Sequence, residues 1–222
     1  MSPAKRWTIF HHIPKTGGTS AQAVFRHWFR LVRDYVDPAR PQAFLDHPVD
    51  LDILGPDDML CGHFCAPGSR LGERYPRLLR SEGLRLVTLL RDPLDTMISL
   101  YHYERRVGFL SPDTSLVEYL SIQPDNPMAS YLPCTERDYE EVLRRYTFIG
   151  LTEHIQDSLD YLADQFAKPR ILVPHANAHL GTRELLPADA ARQFRERNAL
   201  DYAIYQHAVE HFPPALLPYQ MT

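Results

Sequence analysis

Trp7-Thr8-Ile9-Phe10-His11-His12-Ile13-Pro14-Lys15-Thr16-Gly17-Gly18-Thr19-Ser20 is the stretch that decides the fold. Its first half, through Ile13, is short, aromatic and β-branched, and Pro14 stops it, so it reads as a strand. Thr19 or Ser20 can cap a helix. Ala21, Val24, Phe25, Trp28, Leu31 and Val32 then fall on one helical face, with Gln22, Arg26, Arg30 and Arg33 turned away. The order is strand, glycine loop, helix. A helix start exposes unpaired N–H groups and the positive end of the helix dipole. Gly17 and Gly18 let the backbone approach an anion without a Cβ in the way, Thr16, Thr19 and Ser20 add hydroxyls, and Lys15 adds a mobile charge. The loop is a phosphate or sulfate site by composition. It departs from the nucleotide-triphosphatase pattern, in which Lys follows the last Gly and precedes Ser or Thr; here Lys15 precedes both glycines.

Working outward, 58–64 reads as a second strand and Leu84 to Leu90 as the best buried strand of the chain, ending at Arg91-Asp92-Pro93. A helix follows over 94–103 with Pro93 in its first turn, where a missing N–H costs little. Helices are expected at 115–121, 138–145, 153–166, 188–197 and 199–212, and strands at 146–151 and 171–173. Segment 37–56, rich in Pro and Asp, reads mostly as connection, and 111–133, polar and Pro-containing around its short helix, reads as a substrate-facing insertion. Strands alternating with helices imply an α/β fold with a mainly parallel central sheet flanked by helices, and residues 1–222 are expected to form one domain.

The bulk numbers narrow the function. A net charge of -4 argues against nucleic-acid binding, and no apolar run is long enough for a signal peptide or membrane span, so a soluble cytoplasmic protein is expected. The three cysteines are odd in number. Cys61 and Cys65 are three residues apart, which fits neither a redox pair nor a complete zinc set, even with His63 between them. No metal is expected.

Arg91 stands at the C-terminal end of the strongest strand, where open α/β sheets bind ligands, and Ser99 follows two helical turns later. A guanidinium and a hydroxyl converging on one point suit a phosphate monoester. Taking Asp92 as a magnesium ligand, as in a P-loop kinase, would place the Arg91 cation beside the metal.

Together, His12-Ile13-Pro14-Lys15-Thr16-Gly17-Gly18-Thr19-Ser20 and Arg91-Asp92-Pro93 with Ser99 resemble the two donor motifs of the sulfotransferases that use 3′-phosphoadenosine-5′-phosphosulfate (PAPS). The resemblance is to the branch of heparan sulfate 2-O-sulfotransferase and bacterial carbohydrate sulfotransferases. It implies a P-loop-NTPase-like sulfotransferase fold and transfer of a sulfuryl group to an acceptor hydroxyl, of a small molecule or an oligosaccharide, leaving adenosine 3′,5′-bisphosphate (PAP). Lys15 would contact the 5′-phosphosulfate and assist the bridging oxygen's departure. Thr16, Gly17, Gly18, Thr19 and Ser20 would cradle the phosphate, and Arg91 and Ser99 would hold the 3′-phosphate. Pro174-His175-Ala176-Asn177 resembles a family stretch that leads into a loop over the nucleotide, which adds Asn177 and Arg183, with Thr182, as donor-binding candidates.

Transfer needs a base for the acceptor hydroxyl, and histidine suits it. Among 11 histidines, His63 in Cys61-Gly62-His63-Phe64 resembles the family's Gly-His segment, whose His is the proposed base. Cys61 stands where some 2-O-sulfotransferase relatives carry a second His. His11, His12, His102 and Glu104 rank behind His63. The competing readings are a nucleotide-dependent kinase and a non-catalytic module binding the nucleotide or a sulfated glycan.

Overall fold

The computed structural model describes residues 6–37, 39, 41–65, 68–78, 81, 83–174 and 186–212. Five strands, β1 (Trp7–His11), β2 (Arg30–Arg33), β3 (Asp58–Gly62), β4 (Leu84–Leu90) and β5 (Phe148–Leu151), form one parallel sheet in the order β2-β3-β1-β4-β5. Every residue of β1 and β3 is buried. That explains why both read as near-continuous runs rather than alternating ones: a parallel strand covered on two faces has no polar side.

The strand order locates the ligand site. From β1 the chain passes to β2 and β3 on one side, then crosses to β4 and β5 on the other. The sheet therefore reverses direction around β1. In open α/β sheets the crevice at such a switch point, outside the strands' C-terminal ends, is where ligands bind. The loop after β1 and the start of α1 (Gly18–Trp28) stand there. The C-terminal end of β4 leads into α4 (Pro93–Val107) on the adjoining side.

Three sequence expectations need correction. The apolar helical face drawn through Leu31 and Val32 is wrong: α1 ends at Trp28, Phe29 turns extended at φ -140°, and Arg30–Arg33 is strand β2. Leu and Val two turns on fit a helix stripe as well as a strand, and the tertiary partner decides. That partner is β3, whose Asp58–Cys61 pairs in parallel with Arg30–Arg33. Asp58 sits opposite Arg30 in the register and takes a bidentate pair from it, Nε at 2.7 Å and Nη2 at 2.8 Å. The expected strand at 171–173 is absent. Instead the Gln156 amide clamps that segment to α8 (Ile155–Phe166), accepting from Val173 N–H at 2.9 Å and donating to the Ile171 carbonyl at 3.2 Å. Residues 37–56 are not plain connection either, since they hold helix α2 (Pro41–Asp46) and a 3-10 turn at Leu51–Ile53.

The insertion 111–133 carries α5 (Leu116–Ile122) and α6 (Pro127–Tyr131). It is tied to the junction of α9 (Ala188–Arg197) and α10 (Ala199–Glu210). Asp201 accepts from the N–H groups of Met128 and Ala129, at 2.9 and 2.8 Å, and so satisfies the start of α6. At the same junction Asn126 N–H donates to Asn198 Oδ1 at 2.8 Å, and Asn126 Oδ1 accepts from the N–H groups of Leu200 and Asp201 at 3.0 and 3.2 Å. A segment rich in Pro and polar residues is thereby fixed against the switch-point face. No helix among the described residues is long and apolar enough to cross a membrane.

Candidate active site

The β1 ladder runs one residue past the strand, with His12 N–H donating to the Gly62 carbonyl at 2.9 Å. The chain then turns through two left-handed residues, Lys15 at φ 67° and Gly17 at φ 80°. A lysine there costs on the order of 1–3 kcal/mol unless its surroundings fix it. The surroundings do. Thr16 is fully buried and its hydroxyl donates to the Ile13 carbonyl at 2.8 Å. The Thr152 hydroxyl lies between the Thr16 and Leu90 carbonyls, at 2.8 and 2.9 Å. Arg91 Nη1 reaches the Lys15 carbonyl at 3.4 Å.

Both glycines are required here. A Cβ on Gly17 would add to an already positive φ and meet Ile155 at 2.9 Å. One on Gly18 would sit 1.9 Å from His12 Nε2. The start of α1 has no side-chain cap and no acidic residue in its first turn. Its N–H groups are left for a ligand, and the helix dipole favours an anion. Thr19 is exposed at this end. Ser20 is buried and its hydroxyl donates to the Pro174 carbonyl at 3.1 Å, which ties that part of the chain to the loop. The candidates Asn177, Thr182 and Arg183 lie outside the described residues.

The cations around the loop outnumber what the sequence suggested. Lys15 Nζ lies 4.4 Å from the centre of the Tyr103 ring, and Arg106 Cζ lies 5.7 Å from the same ring. Burial holds the Lys15 pKa below its ordinary value, and the Arg106 and Arg91 charges push it the same way. None of the three forms an ion pair with a carboxylate among the described residues. Like charges gathered in this way favour a bound anion. Ser99, Tyr103 and Arg106 are spaced four and three apart on α4, so they share one helix face. That spacing was available in the sequence from Ser99 onward. Asp92 caps α4, accepting from Asp95 N–H at 3.1 Å, with Pro93 in the first turn.

His63 closes the other side, just beyond β3. Its ring lies 4.8 Å from the rings of both His12 and Tyr35, edge-on to each. Burial lowers its pKa to about 4, so the ring is neutral near pH 7 and able to accept a proton. Tyr35 is bonded to His12 Nδ1 at 3.0 Å and to the Gln22 amide at 3.1 Å. No sequence pattern pointed to Tyr35 or Gln22. His12 lies stacked on Phe10, and burial, followed by the charges of His63, His11 and Lys15, takes its pKa to about 3.

His11 is on the opposite face of β1 and is committed internally. Its Nε2 lies 2.9 Å from the His63 carbonyl and its Nδ1 lies 2.7 Å from the Tyr146 hydroxyl. A carbonyl can only accept, so Nε2 carries the proton and the tyrosine donates to Nδ1. His102 and Glu104 lie on α4, where His102 packs edge-on against Tyr101. Cys61 is buried, and no group of three His, Cys, Asp or Glu among the described residues is arranged to hold a metal ion.

No protein-family model matches the sequence, and no curated protein matches it significantly. Solved structures do. A sulfotransferase from Alicyclobacillus acidocaldarius aligns at TM-score 0.52 and 14% identity over 95% of this chain and 98% of its own. A mouse sulfotransferase complexed with PAP aligns at TM-score 0.56 and 12% identity, over 91% of this chain and 89% of its own. Retinol dehydratase in a complex with retinol and PAP aligns at TM-score 0.53 and 12% identity, over 98% and 84%. The chain has the fold of these proteins, the parallel α/β fold expected from its strand-loop-helix order.

Proposed function

We propose that the chain is a sulfotransferase that takes its sulfuryl group from PAPS and passes it to an acceptor hydroxyl. The observation that carries this is the set of cations, Lys15, Arg91 and Arg106, gathered beside the uncapped start of α1 at the sheet's switch point. Ser99 follows on the adjoining face of α4. A donor with phosphate at both ends of a nucleoside fits such a site. The fold neighbours crystallised with PAP support the same assignment.

The roles follow from position. The N–H groups opening α1 bind the 5′-phosphate, and Arg91 and Ser99 bind the 3′-phosphate. In the transfer the acceptor oxygen bonds to sulfur as the bond from sulfur to the bridging oxygen breaks. His63 takes the acceptor's proton. Lys15 neutralises the charge that builds on the departing bridging oxygen. Charge spreads over the equatorial oxygens in such an in-line step, so fixed donors and cations supply the stabilisation. A histidine at about pKa 4 is a weak base in the free protein. Anionic donor bound beside it raises that value towards the working pH.

A kinase is disfavoured on this geometry. Asp92, the residue a kinase would use for magnesium, caps α4 beside the Arg91 cation. Incubation with labelled PAPS and, in parallel, labelled ATP separates the two. Label transferred from PAPS alone supports the sulfotransferase; label transferred from ATP alone contradicts it. Tight PAP binding with no transfer to any acceptor would instead indicate a non-catalytic module.

A further inference from the structure

Beside the loop lies a cavity of about 300 Å3 that no donor role explains. It shares a wall with the donor site, since Ile13, Pro14 and Lys15 line it from the loop. Met97 and Leu100 of α4 and Met128 and Tyr131 of the clamped insertion form the facing walls. On α4 these residues lie on a face next to that of Ser99 and Tyr103, so the cavity and the 3′-phosphate residues flank Lys15 from different sides.

Two of the polar groups on the walls, Asp201 and Ser130, are spent on the protein itself. Both oxygens of Asp201 are taken by the N–H groups of Met128 and Ala129. The Ser130 hydroxyl donates to the Pro127 carbonyl at 2.6 Å. The other polar groups there are Lys15 at the loop end, Cys65, the Tyr131 hydroxyl, Gln123, and Thr96, whose buried hydroxyl has no hydrogen-bond partner. A sugar ring carries a hydroxyl on nearly every carbon, and each one buried without a partner loses its bonds to water with nothing in return. An apolar molecule with one hydroxyl meets no such cost and gains from the Met, Leu and Tyr walls.

We propose that this cavity holds the acceptor, and that the acceptor is a compact, largely apolar alcohol or phenol of one or two rings that presents its hydroxyl at the loop end, past Lys15 and Cys65 and toward His63, which lies two residues before Cys65. This rests on the sulfotransferase reading. It departs from the carbohydrate acceptor that the sequence resemblance implies. The volume is at the small end of ligand pockets, which run from about 300 to 1,000 Å3, and so limits the ring count.

The test uses 1-naphthol and maltotriose as probes. Naphthol binding is read by saturation-transfer NMR on the wild-type protein and on Leu100→Trp and Gln123→Trp, which narrow the cavity from its wall and from its insertion side. Transfer from labelled PAPS to each probe and PAP affinity by calorimetry are measured alongside. The expected result is that naphthol binds and is sulfated, maltotriose is not, and at least one variant weakens naphthol binding about tenfold or more with PAP affinity kept. Transfer to maltotriose and not to naphthol overturns the proposal. So does naphthol binding that neither variant changes, or no naphthol binding at all. Absence of PAP binding would sink the donor assignment, while the NMR arm still decides whether the cavity takes an apolar alcohol.

Discussion

The ring of His12 lies directly over Gly18, so close that a Cβ on that glycine would sit 1.9 Å from Nε2. The same ring is held by stacking on Phe10 and by its bond to Tyr35. The histidine before the loop and the glycine opening α1 are therefore one unit, and each sets the shape of the anion site.

Gly18→Ala should lower PAP affinity about tenfold or more, because either the ring or the start of α1 must move and the N–H groups lose their aim. The double variant His12→Ala with Gly18→Ala should recover part of the lost thermal stability, as a shared clash makes the two changes non-additive. Calorimetry and melting curves on wild type, Gly18→Ala, His12→Ala and the double variant check both. Strict additivity would show that the contact is not the cause.

Arg106→Ala should raise the Lys15 pKa, since it removes a cation that pushes it down, and should raise the KM for PAPS. Tyr103→Phe keeps the ring between the two cations and should leave both quantities near wild type. Lysine titration followed by NMR on the labelled ammonium, beside initial rates, separates these outcomes. An unchanged Lys15 titration in Arg106→Ala would place Arg106 outside the site.

Acid should destabilise the fold through three histidines. The pKa values of His11, His12 and His63 are lowered from the ordinary 6.5 to about 4, 3 and 4, in each case mainly by burial. Above pH 6.5 the rings are neutral whether the chain is folded or not, and stability is full. As pH falls from 6.5 towards 4 the unfolded chain takes up protons that the folded rings refuse, and stability is lost. Each ring contributes up to about 1.4 kcal/mol per pH unit across that window. Urea midpoints from pH 7.5 to 4.5 should fall, and His63→Gln should flatten the fall. An equal slope in wild type and variant would remove His63 from this account.

Arg74 and Asp34 form a bidentate ion pair, Nε at 2.7 Å and Nη2 at 2.9 Å, with side chains 2% and 4% exposed. The Tyr75 hydroxyl donates to the same carboxylate at 2.6 Å. Arg74→Ala leaves that charge buried without its guanidinium and should cost about 3–5 kcal/mol in denaturant unfolding. Because Asp34 precedes Tyr35, PAP affinity should change less than turnover does.

Much of this architecture was legible in the sequence, and the gaps have physical causes. The buried strands 7–11 and 84–90 and the glycine loop were readable because local chemistry fixes them: a continuous apolar run, a Pro stop, and glycines where a side chain cannot fit. Strand β2 was not readable, because Leu31 and Val32 fit either period and only the parallel ladder to β3, distant in sequence, selects the strand. Lys15, His63, Arg91 and Ser99 came from motifs, and the structure gathers Lys15, His63 and Arg91 around one loop with Ser99 on the adjoining face of α4. Arg106 and Tyr103 could have been found by continuing the helical face of Ser99. Tyr35 and Gln22 could not, since they meet His12 only through tertiary packing. The cavity beside Lys15 depends on Asp201 clamping Met128 and Ala129 across more than seventy residues, which no local pattern announces.

The central claim is a donor held by both ends, and a calorimetric comparison of PAP with adenosine 5′-monophosphate, which lacks the 3′-phosphate, tests it most directly. PAP should bind about tenfold or more tighter than the monophosphate, Arg91→Ala should erase that difference, and Lys15→Ala should weaken both ligands. Equal affinities for PAP and the monophosphate, or a PAP preference that survives Arg91→Ala, would contradict the account.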